Sequence, residues 1–465
     1  MTVADAQPDL EHLDRSDRAF LGHPKGLGYL GFTEGCERFS YYSMQTLLVL
    51  YMVNYLLVPG RMENVVGLDW LNAHVYPGLS GQPLASAIFG TYTALVYLTP
   101  ILGGIIADKW LGRNVTLITG GVLMAIGHFL MAIEPAFLLA LLALLLGVGA
   151  FKGNIATQVG ALYGPNDLRR AMAFQIFYIF INVSVIAAPL VSGTLGQKVG
   201  WHYGFGCAGV VMVLGLIIYL AGQKHLPADN KPVRGAGKVQ REKLTRDDWL
   251  NVVYLLILIP VLAISLLTNQ EIFNAYLVWG DQHFDLTLLN DTSSWLITLD
   301  AALSFSMLVA VAAFWKWWGG RRREPDEISK MIIGSLFTVA GGLALFMAAL
   351  TQPEGGKISM FWPLMFEFLN SIGFAHVLPI SLALFSKMAP RQISGTVIGL
   401  YYLAFFIANK IVGQVGQLYS SWPTTSFWLL HVASAAIGLV AFAVFKAALG
   451  KRMTDSAADQ ARALS

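Results

Sequence analysis

Glu34, Glu37 and Arg38 stand at i, i+3 and i+4 inside an otherwise apolar run from Leu27 to Leu57. That spacing predicts one helix face carrying all three charges. Tyr41 and Tyr42 continue the same side one turn on. A charge at the middle of a bilayer costs on the order of 3 kcal/mol. Such a stripe therefore turns toward protein or water, never toward lipid. An internal salt bridge accounts for one arginine and one carboxylate. The second carboxylate is spare, and a spare acid in an apolar span is a titratable group on a proton or ion path. Two more polar residues interrupt apolar runs. Lys152 lies in Gly147-Val-Gly149-Ala-Phe-Lys152-Gly153-Asn154, where snorkelling to water is the plain alternative to a role in a site. Asn182 closes Phe177-Tyr178-Ile-Phe-Ile-Asn182, where a lone membrane Asn commonly makes a helix-packing hydrogen bond.

Composition sets the elements that must position these residues. The chain has 465 residues, 55% hydrophobic and 13% charged, with a mean hydropathy of +0.58. These values exclude an ordinary soluble globule and indicate a multi-span membrane protein. We expect twelve spans, at about 27–57, 83–107, 113–133, 136–160, 170–196, 201–222, 249–280, 293–318, 328–350, 359–388, 392–418 and 424–449, from apolar runs of ~20 residues. Lys and Arg crowd the loops on the side of both termini, which places the termini in the cytoplasm of a cell membrane. The polar stretch 223–248, with Pro227, Pro232, Gly235 and Gly237, divides the chain. The expected plan is a tail at 1–26, a six-helix bundle at 27–222, the linker, a second six-helix bundle at 249–449 and a tail at 450–465. Paired bundles of equal size suggest a binding site at their midplane. The tail before the first span lacks a signal-peptide pattern, so that span is expected to serve as the insertion signal.

Other functions fit poorly. The net charge of +3 and the scattered basic residues give no nucleic-acid surface. Cys36 and Cys207 have no metal-ligand spacing, and no cofactor motif appears. A membrane enzyme would need a clustered nucleophile and base, and none is present. A neutral, internally paired charge cluster fits a gated binding site better than a pore ring.

The run Gly104-x-x-x-Asp108-Lys109-x-x-Gly112-Arg113 resembles the cytoplasmic loop signature of the major facilitator superfamily. There Asp and Arg latch helix ends while Gly permits a tight turn. Glu34-x-x-Glu37-Arg38-Phe-x-Tyr41-Tyr42, then Lys152 with Asn154, then Phe177-Tyr178-x-x-Ile181-Asn182, resembles the proton-dependent oligopeptide transporter family across nearly the whole chain. The resemblance implies an all-α membrane protein with the major facilitator fold, twelve transmembrane helices in two six-helix bundles. It implies symport of small peptides or peptide-like molecules with protons, without a cofactor. Proton coupling falls on Glu34, Glu37, Arg38, Lys152 and Glu271. The substrate carboxylate falls to Arg38, Tyr41, Tyr42 and Lys152, and the amine end to Asn182. Tyr97, Gln270, Asp300, Phe374 and Tyr401 complete the implied binding residues.

The sequence departs from the family in places. Gln45 stands where an Arg is common, and Gly153 where Pro follows the Lys. Asn269-Gln270-Glu271 replaces a Glu-Gln pair. Phe374 falls where a tenth-span Glu faces the amine, with Glu367 two turns earlier. Asp300 falls where the family has Asn. We expect Asp300 to supply the missing negative charge to the amine, unless it is paired with Lys410 or hydrated. The 223–248 linker is too short and polar for the two extra spans of many bacterial members. His128, His376 and His431 are expected to be packing or headgroup-level residues rather than proton carriers, and Trp315, Trp317 and Trp318 to anchor at an interface.

Overall fold

A computed structural model describes residues 17–164, 167–227 and 244–462. The core of the expected linker and the first sixteen residues lie outside them. The described residues form fifteen α-helices and no β-strand. In order these are α1 Lys25–Tyr51, α2 Leu68–His74, α3 Gly81–Ile106, α4 Arg113–Leu130, α5 Phe137–Ala161, α6 Arg169–Ala188, α7 Trp201–Gly222, α8 Arg246–Ser265, α9 Leu267–Gln270, α10 Ala275–His283, α11 Trp295–Gly319, α12 Glu327–Leu350, α13 Phe361–Met388, α14 Ser394–Val415 and α15 Thr424–Arg462. Among the described residues, ten helical runs are long and apolar enough to cross a membrane. The two remaining expected spans are α1, whose charged stripe dilutes its apolar run, and α4, which has 18 residues and opens on Arg113.

Span seven departs from expectation. The sequence predicts one span over 249–280, and the structure breaks it. Helix α8 stops at Ser265, α9 adds a single turn, Glu271–Phe273 tightens into a 3-10 turn, and α10 restarts at Ala275. Glu271 Oε1 accepts the backbone N–H of Ala275 at 3.1 Å and the Asn274 amide at 2.9 Å. A carboxylate at a helix N-terminus satisfies orphan N–H groups and opposes the dipole. Helix α15 runs on to Arg462, past the expected end of span twelve.

The chain divides into two units, Met1–Gly78 with Leu98–Gly237, and Leu79–Tyr97 with Lys238–Ser465. The first half of α3 thus belongs to the second unit. There it packs on α14 so closely that a Cβ at Gly90 would lie 2.2 Å from the Gly413 Cα. Small residues permit such backbone approach between membrane helices. The rest of the second-unit core gathers Leu258, Leu262, Phe385, Tyr401, Ala408 and Phe442.

In the first unit, α1 is held by α6 and α7. A Cβ at Gly31 would lie 2.7 Å from the Phe180 ring, and one at Gly215 would lie 2.8 Å from the Cys36 Cβ. The second half of α3 meets α5 backbone to backbone. A Cβ at Gly103 would fall 2.0 Å from the Gly149 carbonyl oxygen. Backbone cannot swing aside as a side chain can. Gly103→Val is therefore expected to destabilise by at least ~1–3 kcal/mol, the usual cost of overpacking, and to lower the thermal unfolding midpoint of the purified protein. An unchanged midpoint would contradict this contact.

Candidate functional site

The α1 stripe is buried as its spacing predicts. Glu34, Glu37 and Arg38 are 4%, 0% and 4% exposed. Arg38 Nε lies 3.1 Å from Glu34 Oε1 and also pairs with Glu37 Oε2. Both acids thus meet the Nε edge of the guanidinium. Glu34 Oε2, Glu37 Oε1 and Arg38 Nη2 are buried without a hydrogen-bond partner. The guanidinium carbon stands 5.5 Å from the Tyr41 ring centre, a cation–π distance, and Tyr41 packs edge-on against Tyr42. From α5, Lys152 interacts electrostatically with Glu34, Glu37 and Arg38. The four charges sum to zero, the balance a low-dielectric site tolerates best. Adding one proton leaves +1, ready for a carboxylate.

Other expected residues take varied places. Asn182 returns its amide N–H to the Tyr178 carbonyl of its own helix, at 2.8 Å. Tyr97 stacks on Phe405 with ring centres 4.9 Å apart. Gln270 Oε1 accepts the Asn409 amide at 3.2 Å, and Phe374 is half-buried. Tyr401 is 2% exposed, with its hydroxyl 3.1 Å from Ser381 Oγ and 3.2 Å from the Leu378 carbonyl it donates to. Glu271 is buried as the cap of α10, and its other oxygen lies 3.5 Å from His431 Nε2. Lys410 donates to Thr91 Oγ1 at 2.9 Å. Asp300 lies instead beside the Glu367 carboxyl.

The loop after α3 brings Asp108 and Arg113 together. Asp108 and Lys109 lie in a π-turn, Ala107–Leu111, and Gly112 follows at φ +79°, a left-handed angle that favours Gly. Arg113 Nη2 reaches back to Asp108 Oδ1 at 3.6 Å. Among the described residues no group of His, Cys, Asp or Glu is placed to hold a metal ion.

Three partners escaped sequence reasoning. His431 faces Glu271. The indole N–H of Trp315 donates to His376 Nε2 at 3.1 Å. Glu367 lies beside Asp300, and an acid between Phe366 and Phe368 in an apolar run is itself a signal.

A helical membrane chain with a neutral buried charge cluster is built to bind and carry a solute. The chain belongs to the Major Facilitator Superfamily, whose profile matches residues 38–413. It is similar to the peptide transporter YePEPT of Yersinia enterocolitica, 28% identical over 86% of this chain and 88% of that one. It is similar to the di-/tripeptide transporter of Lactococcus lactis subsp. cremoris, 26% identical over 94% of this chain and 98% of that one. Among solved structures, the peptide transporter POT in complex with sulfate superposes with a TM-score of 0.81 at 25% identity, covering 95% of this chain and 97% of that one.

Proposed function

We propose that the chain is a proton-coupled symporter of di- and tripeptides or peptide-like molecules, working by alternating access in a cell membrane with both termini cytoplasmic. The observation that carries this reading is the buried, unpartnered Nη2 of Arg38. An N–H held out of water without a partner costs about 1–3 kcal/mol. A substrate carboxylate supplies what it lacks, and the guanidinium fork suits that geometry. Lys152, Tyr41 and Tyr42 assist at this end. A proton on Glu34 or Glu37 turns the neutral cluster to +1 and favours the anion, so the two ligands bind cooperatively. Asp108, Lys109, Gly112 and Arg113 form the gating latch. Phe374 at the position of an amine-facing Glu favours a second reading, another small carboxylated or amino-bearing solute.

Purified protein in liposomes tests both. Labelled dialanine is expected to accumulate under an inward proton gradient, to be released by a protonophore and to be competed by dipeptides more than by single amino acids. Failure of every peptide to compete, with competition by another carboxylated solute, would replace the first reading by the second. Orientation has its own test. Arg322 is exposed between α11 and α12. A cysteine there is expected to resist an impermeant maleimide in intact cells and to react once the membrane is opened. Labelling in intact cells would reverse the topology.

A further inference from the structure

In the second unit, Asp300 on α11 and Glu367 on α13 bring their carboxyl groups together. The register between these helices is held one turn on, where Ser304 Oγ lies 3.1 Å from Ser371 Oγ and 3.4 Å from Asp300 Oδ1. From α10, Tyr276 turns its hydroxyl toward Glu367 and also faces Asp300. Its ring packs on Phe366 at 5.1 Å. Glu367 and Tyr276 are fully buried, whereas Asp300 is only partly buried within the protein. Neither Glu367 oxygen nor the Tyr276 hydroxyl has a well-aligned hydrogen-bond partner.

Among the described residues no Lys, Arg or His forms an ion pair with either. Lys410 is taken up by Thr91, and His431 faces Glu271. Two carboxylates side by side in a membrane-spanning bundle, with no cation paired to either, cannot both stay ionised. A carboxyl beside a carboxylate resolves the conflict with a single proton, which belongs to the pair rather than to either residue.

We propose that Asp300 and Glu367 share one proton and form a proton-binding site of the second unit, distinct from the Glu34–Glu37–Arg38–Lys152 cluster. The pair bears one negative charge with one proton aboard and none with two. The proton enters at Asp300, the less buried of the two acids. The proton then passes from the Asp300 carboxyl to the Glu367 carboxylate, leaving Asp300 ionised and Glu367 as the acid. Tyr276 donates to Glu367 whenever the proton resides on Asp300. This gives Asp300 a proton partner in place of the substrate amine, and it assumes nothing about the cargo.

Infrared difference spectra of the full-length protein in lipid, recorded without substrate as the buffer is made alkaline, test the idea. The wild type is expected to show a buried protonated-carboxyl band that is lost on alkalinisation. Glu367→Gln should remove that band at neutral pH, because it deletes the more deeply buried acid of the pair and leaves the less buried Asp300 to ionise. Asp300→Asn should keep it into alkaline buffer, because a lone buried Glu367 retains its proton. Both changes are near-isosteric and remove a like-charge contact, so the melting temperature should hold or rise. Tyr276→Phe removes no carboxyl and should shift the band without abolishing it. A wild type without the band, a band indifferent to Glu367→Gln, or two acid variants that titrate like the wild type would overturn the proposal. Because no substrate is present, these results stand whether or not the chain carries peptides.

Discussion

Glu37→Gln and Lys152→Ala are each expected to abolish accumulation of substrate against its gradient while sparing part of the downhill exchange. Glu37 is fully buried and shares the Nε edge of Arg38 with Glu34. With Glu34 ionised, its replacement by Gln already holds the cluster at +1, the state the wild type reaches only by taking up a proton. The carboxylate then meets that charge before any proton has arrived. Lys152→Ala errs in the other direction, leaving −1 and repelling the anion until protons compensate. Either way the free energy linking proton to substrate disappears, typically ~1–3 kcal/mol or about 5–150-fold in affinity. The measurement is the ratio of labelled substrate inside and outside vesicles, beside counterflow without a gradient. If either variant concentrates substrate at wild-type rates, the assigned proton path is wrong.

Arg38 separates stability from recognition. Arg38→Ala strands two buried carboxylates with only Lys152 to balance them. Breaking a buried ion pair from one side costs ~3–5 kcal/mol, so this variant should melt well below the wild type and transport nothing. Arg38→Lys keeps the charge and the fold but loses the planar fork, whose Nη2 is the open donor. Its substrate KM should rise about 10–100-fold, the worth of one buried charge-assisted contact at ~1.5–3 kcal/mol. Unchanged KM in a folded Arg38→Lys protein would remove Arg38 from the binding site.

Residues that violate their surroundings were the legible ones. The α1 stripe, Lys152 and the Asp108–Arg113 turn announced themselves because polarity at fixed spacing in an apolar run has few explanations. The spans were legible for the same reason, by length. The break in span seven was not. Polar Thr268-Asn269-Gln270-Glu271 interrupts its apolar run without saying that the helix breaks there, and the one proline, Pro260, sits inside α8 without ending it. The helix breaks later, at 266–274, through contacts made by Glu271 and Asn274. One of these, the 2.8 Å hydrogen bond that Asn274 accepts from Ser86, comes from α3, far away in sequence. The contact between Asp300 and Glu367 joins two spans whose register no local pattern reports. Tyr401 shows the converse limit, since a family position does not tell whether a hydroxyl is open or already bonded to its own unit.

The zero sum of Glu34, Glu37, Arg38 and Lys152 also has an electrical meaning. Moving one elementary charge through the membrane field takes ~2.3 kcal/mol per 100 mV. With its cluster neutral, the unloaded protein moves no net charge from these residues when it resets, so their part of the return step does no work against the membrane potential. A proton makes the cluster positive and an arriving carboxylate cancels it again, so the loaded cluster is neutral too. The voltage sensitivity of transport is thereby left to whatever charge the cargo bears beyond its carboxylate and to any proton carried elsewhere in the protein.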